Sequence, residues 1–326
     1  MRFFDRFRTE LGRYAEGVHP LEPPAALPAI ASAERRLGRA FPSSFRDFLG
    51  QWNGGYLFHD DYALFGVAGA ARDLDRLEAT PDLLLVGTGP VGPFGLDARG
   101  RVVAIDESTQ VRRIEGSEFE RWLDAVMARE RLVFDREGEV RAEALDGVEL
   151  APRIVRKRAE VAIKIDSQAP AWHEELGQLL YEVGEGDRAE ACFRRVVELD
   201  PEAAGAWFAL GKLLRSAAKM AAASRAFRAA GEAESEPAES AIAFAHAART
   251  AREAYLVEAD GLAERAARAQ PSFVAEQRAA AEHLLAEGAV EEAIEHLELA
   301  LAVVPNDADL AALRARTRAR LALRPV

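Results

Sequence analysis

Two stretches of this chain repeat each other at an offset of 34 residues: Leu176-Gly177, Ala189 and Phe193 recur as Leu210-Gly211, Ala223 and Phe227. Trp172 and Trp207 open the two units at nearly the same place, and Pro271 and Pro305 keep the spacing further on. A period of this length marks helix-turn-helix units, none of which buries its apolar face alone, so the units must stack into an array with a concave face. Such a face binds polypeptide and carries no chemistry of its own.

The remaining composition bounds the rest. A length of 326 residues accommodates two domains. With 54 acidic against 42 basic residues, the chain is a poor nucleic-acid binder, and the half after residue 165 carries most of the excess negative charge. The single cysteine, Cys192, excludes an internal disulfide and a cysteine-rich zinc site; beside Phe193 it reads as a small buried apolar residue. Residues 1–14 are charged throughout and lack the apolar core of a signal peptide, and no run approaches the ~18 apolar residues that span a bilayer. The expectation is a cytoplasmic protein without membrane contact.

In the first half, Phe3, Phe7, Leu11 and Tyr14 share one helical face. A second helix is expected from Pro28 to Leu37, stopped at Gly38, and a third carries Phe45, Phe48, Leu49 and Trp52 up to Asn53-Gly54-Gly55. The period then becomes strand-like: Tyr56–Phe58, Tyr62–Phe65, Leu83–Val86, Phe94–Leu96 and Val102–Ile105, with Asp97-Ala98-Arg99-Gly100 as a hairpin turn. A late helix is expected from Ser117, capped by the Ser117 hydroxyl with Glu120 closing a capping box, and Leu132–Phe134 with Val140 as a last hairpin. Helices, then an antiparallel sheet, then a helix packed on it make an α+β domain.

The order Glu34, Leu37-Gly38, Phe41-Pro42, Phe45, Phe48-Leu49 and Asn53-Gly54-Gly55, with Phe119 and Trp122-Leu123 in the late helix, resembles the SUKH superfamily of Smi/Knr cell-wall regulators and bacterial immunity proteins. The resemblance covers residues 25–135 and implies a binding domain without catalysis, in many cases one that docks on a cognate toxin. Where that family often shows a Gly-Asp step, this chain has Gly89-Pro90-Val91-Gly92-Pro93. Trp52 and Phe48 read as core.

Candidate chemistry does not assemble. Gly87-Thr88-Gly89-Pro90-Val91-Gly92 matches a dinucleotide pattern, with Asp106 placed like a ribose-binding acid, but the motif requires a helix directly after it and here a strand follows at Phe94. His59-Asp60-Asp61 has no second histidine nearby, His283 and His296 lack a carboxylate at ligand spacing, and Cys192 has no activating histidine. No cofactor, metal or catalytic group is expected. The basic run Arg153, Arg156, Lys157 and Arg158 reads as a solvated linker, or as a partner for the acidic second half.

The second half resembles the tetratricopeptide repeat family, with units at 170–203, 204–239, 240–273 and 274–306 and a capping helix at 307–326. The organisation expected is therefore a SUKH-like domain at 1–150, a linker at 151–169, four repeats and a cap, the whole being α+β followed by an all-α solenoid. By register, the resemblance implies a groove lined by Glu174, Gln178 and Tyr181, then Phe208, Lys212 and Arg215, then Phe244 and Arg252, then Arg278 and Glu282. Aromatic and basic residues alternate there, which suits an extended peptide with apolar and acidic groups. Phe208 and Phe244 serve either that groove or the packing between helices. Glu174 and Gln178 stand where the family's two-carboxylate clamp needs basic and amide residues, which disfavours chaperone-tail binding. The function expected is a non-enzymatic adaptor of the toxin-immunity type, with a protein or peptide partner that includes toxin domains; the alternative is a regulatory scaffold for signalling or cell-envelope synthesis proteins.

Overall fold

The computed structural model describes residues 3–71 and 74–322. The chain divides into two compact units, Met1–Leu179 and Leu180–Val326.

In the first unit, α1 (Phe3–Leu11), α2 (Leu27–Leu37) and α3 (Ser43–Leu49) precede the sheet. Gly38 ends α2 with φ +64°, the left-handed backbone that a C-terminal glycine supplies. Strands β1 (Gly55–Leu57), β2 (Tyr62–Leu64), β3 (Glu78–Ala79), β4 (Leu84–Gly89), β5 (Gly92–Leu96), β6 (Val102–Ile105) and β7 (Arg112–Gly116) form one antiparallel sheet in the order β1-β2-β4-β5-β6-β7, with β3 pairing β4 as well. Gly54, at φ +87°, immediately precedes β1; a Cβ there would stand 2.5 Å from the Leu64 carbonyl oxygen, so no larger residue fits. Its neighbour Asn53 is buried and mimics a strand partner, with Oδ1 accepting from the Val67 N–H at 2.8 Å.

One face of the sheet meets α4 (Phe119–Glu130), and the core between them is aromatic. Phe45 and Phe48 meet Phe119 edge-on at 5.2 and 5.3 Å, and Trp122 stands 4.5 Å from Phe94. Trp52 is partly buried against Phe4, Phe7 and Phe48. The other face carries a smaller cluster of Leu83, Val103 and Ile114. The Asp97 turn joins β5 to β6, its carboxylate accepting from the Arg99 and Arg101 N–H groups.

Three expectations change. Ser117 does not cap α4: the helix begins after Glu118 with no side-chain cap, and the Ser117 hydroxyl and N–H both donate to buried Asp166 at 2.8 and 2.6 Å. The hairpin expected at 132–140 is a single bridge between Phe134 and Val140, and a short hairpin of β8 (Leu145–Asp146) and β9 (Glu149–Leu150) follows. Residues 152–165 are not a solvated linker but α5 (Pro152–Ile165), packed on α4. Pro152 starts it where no helical N–H is lost, Ala159 and Ala162 bury its inner face, and Arg158 reaches buried Glu130 at 2.6 Å. The helix α6 (Pro170–Glu182) follows, its first residues, Ala171 and Trp172, being part of the first unit's core.

The second unit is entirely helical among its described residues: α7 (Gly186–Leu199), α8 (Ala204–Ser216), α9 (Met220–Ala233), α10 (Pro237–Glu253), α11 (Ala259–Ala269), α12 (Phe273–Glu287), α13 (Val290–Val303) and α14 (Ala308–Ala322). The capping helix expected at 307–326 is α14 up to Ala322; its last four residues lie outside the described ones. Glycine lets paired helices close: a Cβ on Gly211 of α8 would come within 2.7 Å of the Phe227 ring of α9. From α7 to α11 each helix packs on the next. The order then breaks. α10 takes α13 as a further neighbour, while α11 meets α12 only briefly. α12 buries little beyond Phe273 and Ala281, whereas α13 is buried along the whole run Leu297–Val303, so α13 is the helix that needs covering.

Candidate functional site

The groove positions implied by register fall at several places. Glu174 and Gln178 lie on the part of α6 in the first unit, where Glu174 faces Arg113 at 3.6 Å and Gln178 is exposed. Tyr181, Phe208 and Lys212 come together in the second unit: the Lys212 ammonium stands 5.4 Å from the Tyr181 ring centre and 5.9 Å from that of Phe208. Their spacing on α8, with Arg215 three residues on, places Phe208, Lys212 and Arg215 on one helical face. Tyr181 and Lys212 are exposed, and neither Lys212 nor Arg215 forms an ion pair among the described residues.

The other positions are engaged within the chain. Phe244 is buried; its ring packs on Gly231 and lies 4.1 Å from the Arg265 guanidinium. Arg252 donates to the Ala302 carbonyl at the end of α13 and pairs with Asp260 at 3.0 Å. Arg278 is exposed but pairs along its own helix with Glu282 at 2.9 Å. α13 thus meets α10 at Arg252, and Arg249, which register does not single out, fastens it by pairing with Glu295 and Glu298. Glu298, itself buried, also receives Arg318 of α14.

His246 lies beneath this face, its ring stacked on Phe227 at 5.0 Å and edge-on to Phe208 at 5.2 Å. Burial first, then Arg215 and Arg249, hold its pKa at about 3, against a small opposing pull from Glu295. The unfolded chain takes up this proton near pH 6.5 and the folded one does not, so the stability tied to neutral His246 is present above pH 6.5 and lost as pH falls towards 3. By pH 5 the loss amounts to about 2 kcal/mol. In urea melts at pH 7.5 and pH 5, His246→Phe is expected to shrink the acid destabilisation of the second unit by that amount; an equal drop in both proteins contradicts this assignment.

The patterns set aside in the sequence have these places in the structure. Gly89–Gly92 is the tight connection between β4 and β5, not a phosphate loop. His283 and His296 turn to different partners, Glu287 and Gln277. No group of three or more His, Cys, Asp or Glu side chains gathers as a metal site among the described residues.

Residues 24–125 match the model of the SMI1/KNR4 family (SUKH-1), and residues 169–213 match that of a tetratricopeptide repeat. The chain thus carries, in this order, a segment that matches SUKH-1 and a segment that matches a tetratricopeptide repeat. No curated protein matches it. Among solved structures it is similar to YrrB, described as a TPR protein with an unusual peptide-binding site, at 22% identity over 51% of this chain and 84% of that one, with a TM-score of 0.32. It is similar also to the MamA protein, at 18% identity over 54% and 88% of the two chains and a TM-score of 0.34. A thermophilic TPR protein of Thermus thermophilus, TTC0263, is 18% identical over 51% and 90%, with a TM-score of 0.31. The two matched segments point to protein interaction. No helix among the described residues is long and apolar enough to cross a membrane.

Proposed function

We propose that this SUKH-1/tetratricopeptide-repeat protein is a non-enzymatic adaptor that holds an extended acidic segment of a partner against Tyr181, Phe208, Lys212 and Arg215. The observation that carries this reading is the Lys212 ammonium beside the Tyr181 and Phe208 rings, with Arg215 on the same helical face and neither cation in an ion pair among the described residues, on a chain whose other helical arginines are largely matched by acids. An acidic peptide supplies the missing counter-charges, and its apolar side chains cover Tyr181 and Phe208. On α10, Phe244 is buried against α9 and α11 and Arg252 is engaged by α13, so the partner contacts fewer repeats than the array has. The role that fits is of the immunity type in a bacterial cytoplasm: the SUKH-1 segment docks on a folded toxin domain while the repeats hold a tail, two modest contacts reinforcing each other through effective concentration.

The double variant Lys212→Glu/Arg215→Glu tests the groove. Lys212 is exposed and Arg215 half-buried, and neither forms an ion pair among the described residues, so the variant is expected to fold as the parent does, which far-UV circular dichroism checks. Its affinity for a fluorescent acidic peptide bearing aromatic residues should fall by about two orders of magnitude, since each reversed charge costs on the order of 1–2 kcal/mol. Anisotropy titrations that give the same affinity for both proteins contradict the groove.

A further inference from the structure

Inside the first unit lies a cavity of about 270 Å³ that the groove reading does not use. Its walls come from β4–β5, β7, α4, α5 and the start of α6. Four buried N–H donors belong to side chains in that wall and have no hydrogen-bond acceptor among the described residues: Arg113 Nε, Arg129 Nε, Arg158 Nε and Trp172 Nε1. Arg129 is 8% exposed and Trp172 only 4%. A donor buried without an acceptor costs free energy, and four around one space form a site built to receive oxygen atoms.

The surrounding bonds define what is missing. Arg158 pairs with Glu130, which also accepts from the Tyr62 hydroxyl at 3.0 Å, and Arg129 pairs with Glu175 at 3.2 Å while lying 3.9 Å over the Trp172 ring. Those carboxylates engage terminal nitrogens of the two guanidinium groups and leave both Nε atoms unmatched. Arg113 donates to the Ala171 carbonyl, and its Nε stays 3.6 Å from Glu174, too far for a hydrogen bond. Glu115, the remaining acid, is held towards its neutral form by burial. Nearby Glu130 and Glu175 repel a dianion more than a monoanion. Phe94, Trp122 and Trp172 supply flat apolar wall, and exposed Pro90 and Val91 of the hairpin line the cavity where it meets solvent.

We propose that this cavity binds a monocarboxylate attached to a flat apolar body, the carboxylate oxygens accepting from the Arg113, Arg129 and Trp172 donors. The volume lies just below the usual range of roughly 300–1,000 Å³ for ligand pockets, which limits the occupant to a small acid or one terminal residue of a peptide. The requirement on the chain itself is that Trp172, from the first helix of the repeats, and α5 both belong to the site.

Isothermal titration of the full chain tests this with sodium phenylacetate, its neutral counterpart phenylacetamide, inorganic phosphate, and the tripeptide Gly-Gly-Phe as free acid and as amide. Phenylacetate is expected to bind saturably in the millimolar range or tighter, at one site per chain, with phenylacetamide at least about tenfold weaker. Trp172→Phe keeps a ring and removes only the N–H, and it should weaken phenylacetate severalfold; Arg113→Gln, on the half-exposed rim, should do so more strongly, with near-UV circular dichroism unchanged. Tripeptide acid binding as well as phenylacetate identifies a chain end as the natural source, and phenylacetate binding alone identifies a free acid; either outcome supports the site. No saturable binding of any carboxylate, equal binding of acid and amide, tighter binding of phosphate, or phenylacetate affinity unmoved by Trp172→Phe in a folded protein overturns it.

Discussion

Arg158→Ala is expected to destabilise the first unit by about 3–5 kcal/mol, the cost of leaving one member of a buried ion pair without its partner. The Arg158 side chain is 14% exposed and that of Glu130 5%, at a separation of 2.6 Å. Without the guanidinium, the Glu130 carboxylate keeps only the Tyr62 hydroxyl. Glu130→Ala should cost a similar amount by stranding Arg158. The double change Glu130→Leu/Arg158→Met should cost much less than the sum, because a buried pair replaced by apolar residues of similar size forfeits little. Lys157→Ala, exposed on the same helix, should stay within about 0.5 kcal/mol of the parent. Urea melts followed by tryptophan fluorescence read this out, because Trp52, Trp122 and Trp172 all lie in the first unit. Arg158→Ala melting like Lys157→Ala contradicts the docking of α5.

The second large effect is a reversal of sign. Gly211→Ala alone should destabilise the second unit by about 1–3 kcal/mol through overpacking, since the new methyl group meets the Phe227 ring at 2.7 Å. Phe227→Ala alone should cost about 3–5 kcal/mol, because this fully buried ring supports both Phe208 and His246. In the Phe227→Ala background the clash is gone. Gly211→Ala then stabilises by up to about 1 kcal/mol, the ordinary advantage of alanine over glycine within a helix. Melts of the four proteins by far-UV circular dichroism complete the cycle. A Gly211→Ala penalty that survives removal of Phe227 contradicts the close approach of α8 and α9.

Much of the fold was legible because its signals are local and periodic. Gly38 and Asn53-Gly54-Gly55 mark stops by backbone conformation, and Phe45, Phe48, Phe119 and Trp122 mark a core by spacing alone. β7 escaped notice because Arg112, Arg113 and Glu115 outnumber its one apolar residue, Ile114. The sheet supplies their partners: Arg112 faces Asp82, and Glu115 accepts from the Trp122 ring N–H. α5 was obscured by its basic cluster, although Ala151-Pro152 and the spacing of Ile154, Val155, Ala159 and Ala162 carry a helical pattern. A run of cations reads as solvated until a buried acid 28 residues earlier in the chain is known to meet it. The groove was legible only in part. Register within a repeat assigns Arg252 of α10 to a groove, but does not tell that α13 meets it, since that contact joins residues about fifty positions apart. The cavity donors were invisible for the same reason, arising from β7, α4, α5 and α6 together.

The most direct test of partner capture is co-purification of the tagged full chain from its native cells beside the Lys212→Glu/Arg215→Glu variant, with both yields quantified by mass spectrometry. The expected result is one stoichiometric partner bearing an acidic tail, held by the parent chain and strongly depleted from the variant, and a toxin domain in that partner would fix the immunity role. A partner retained equally by both proteins, or several weak partners with none stoichiometric, contradicts capture by Tyr181, Phe208, Lys212 and Arg215.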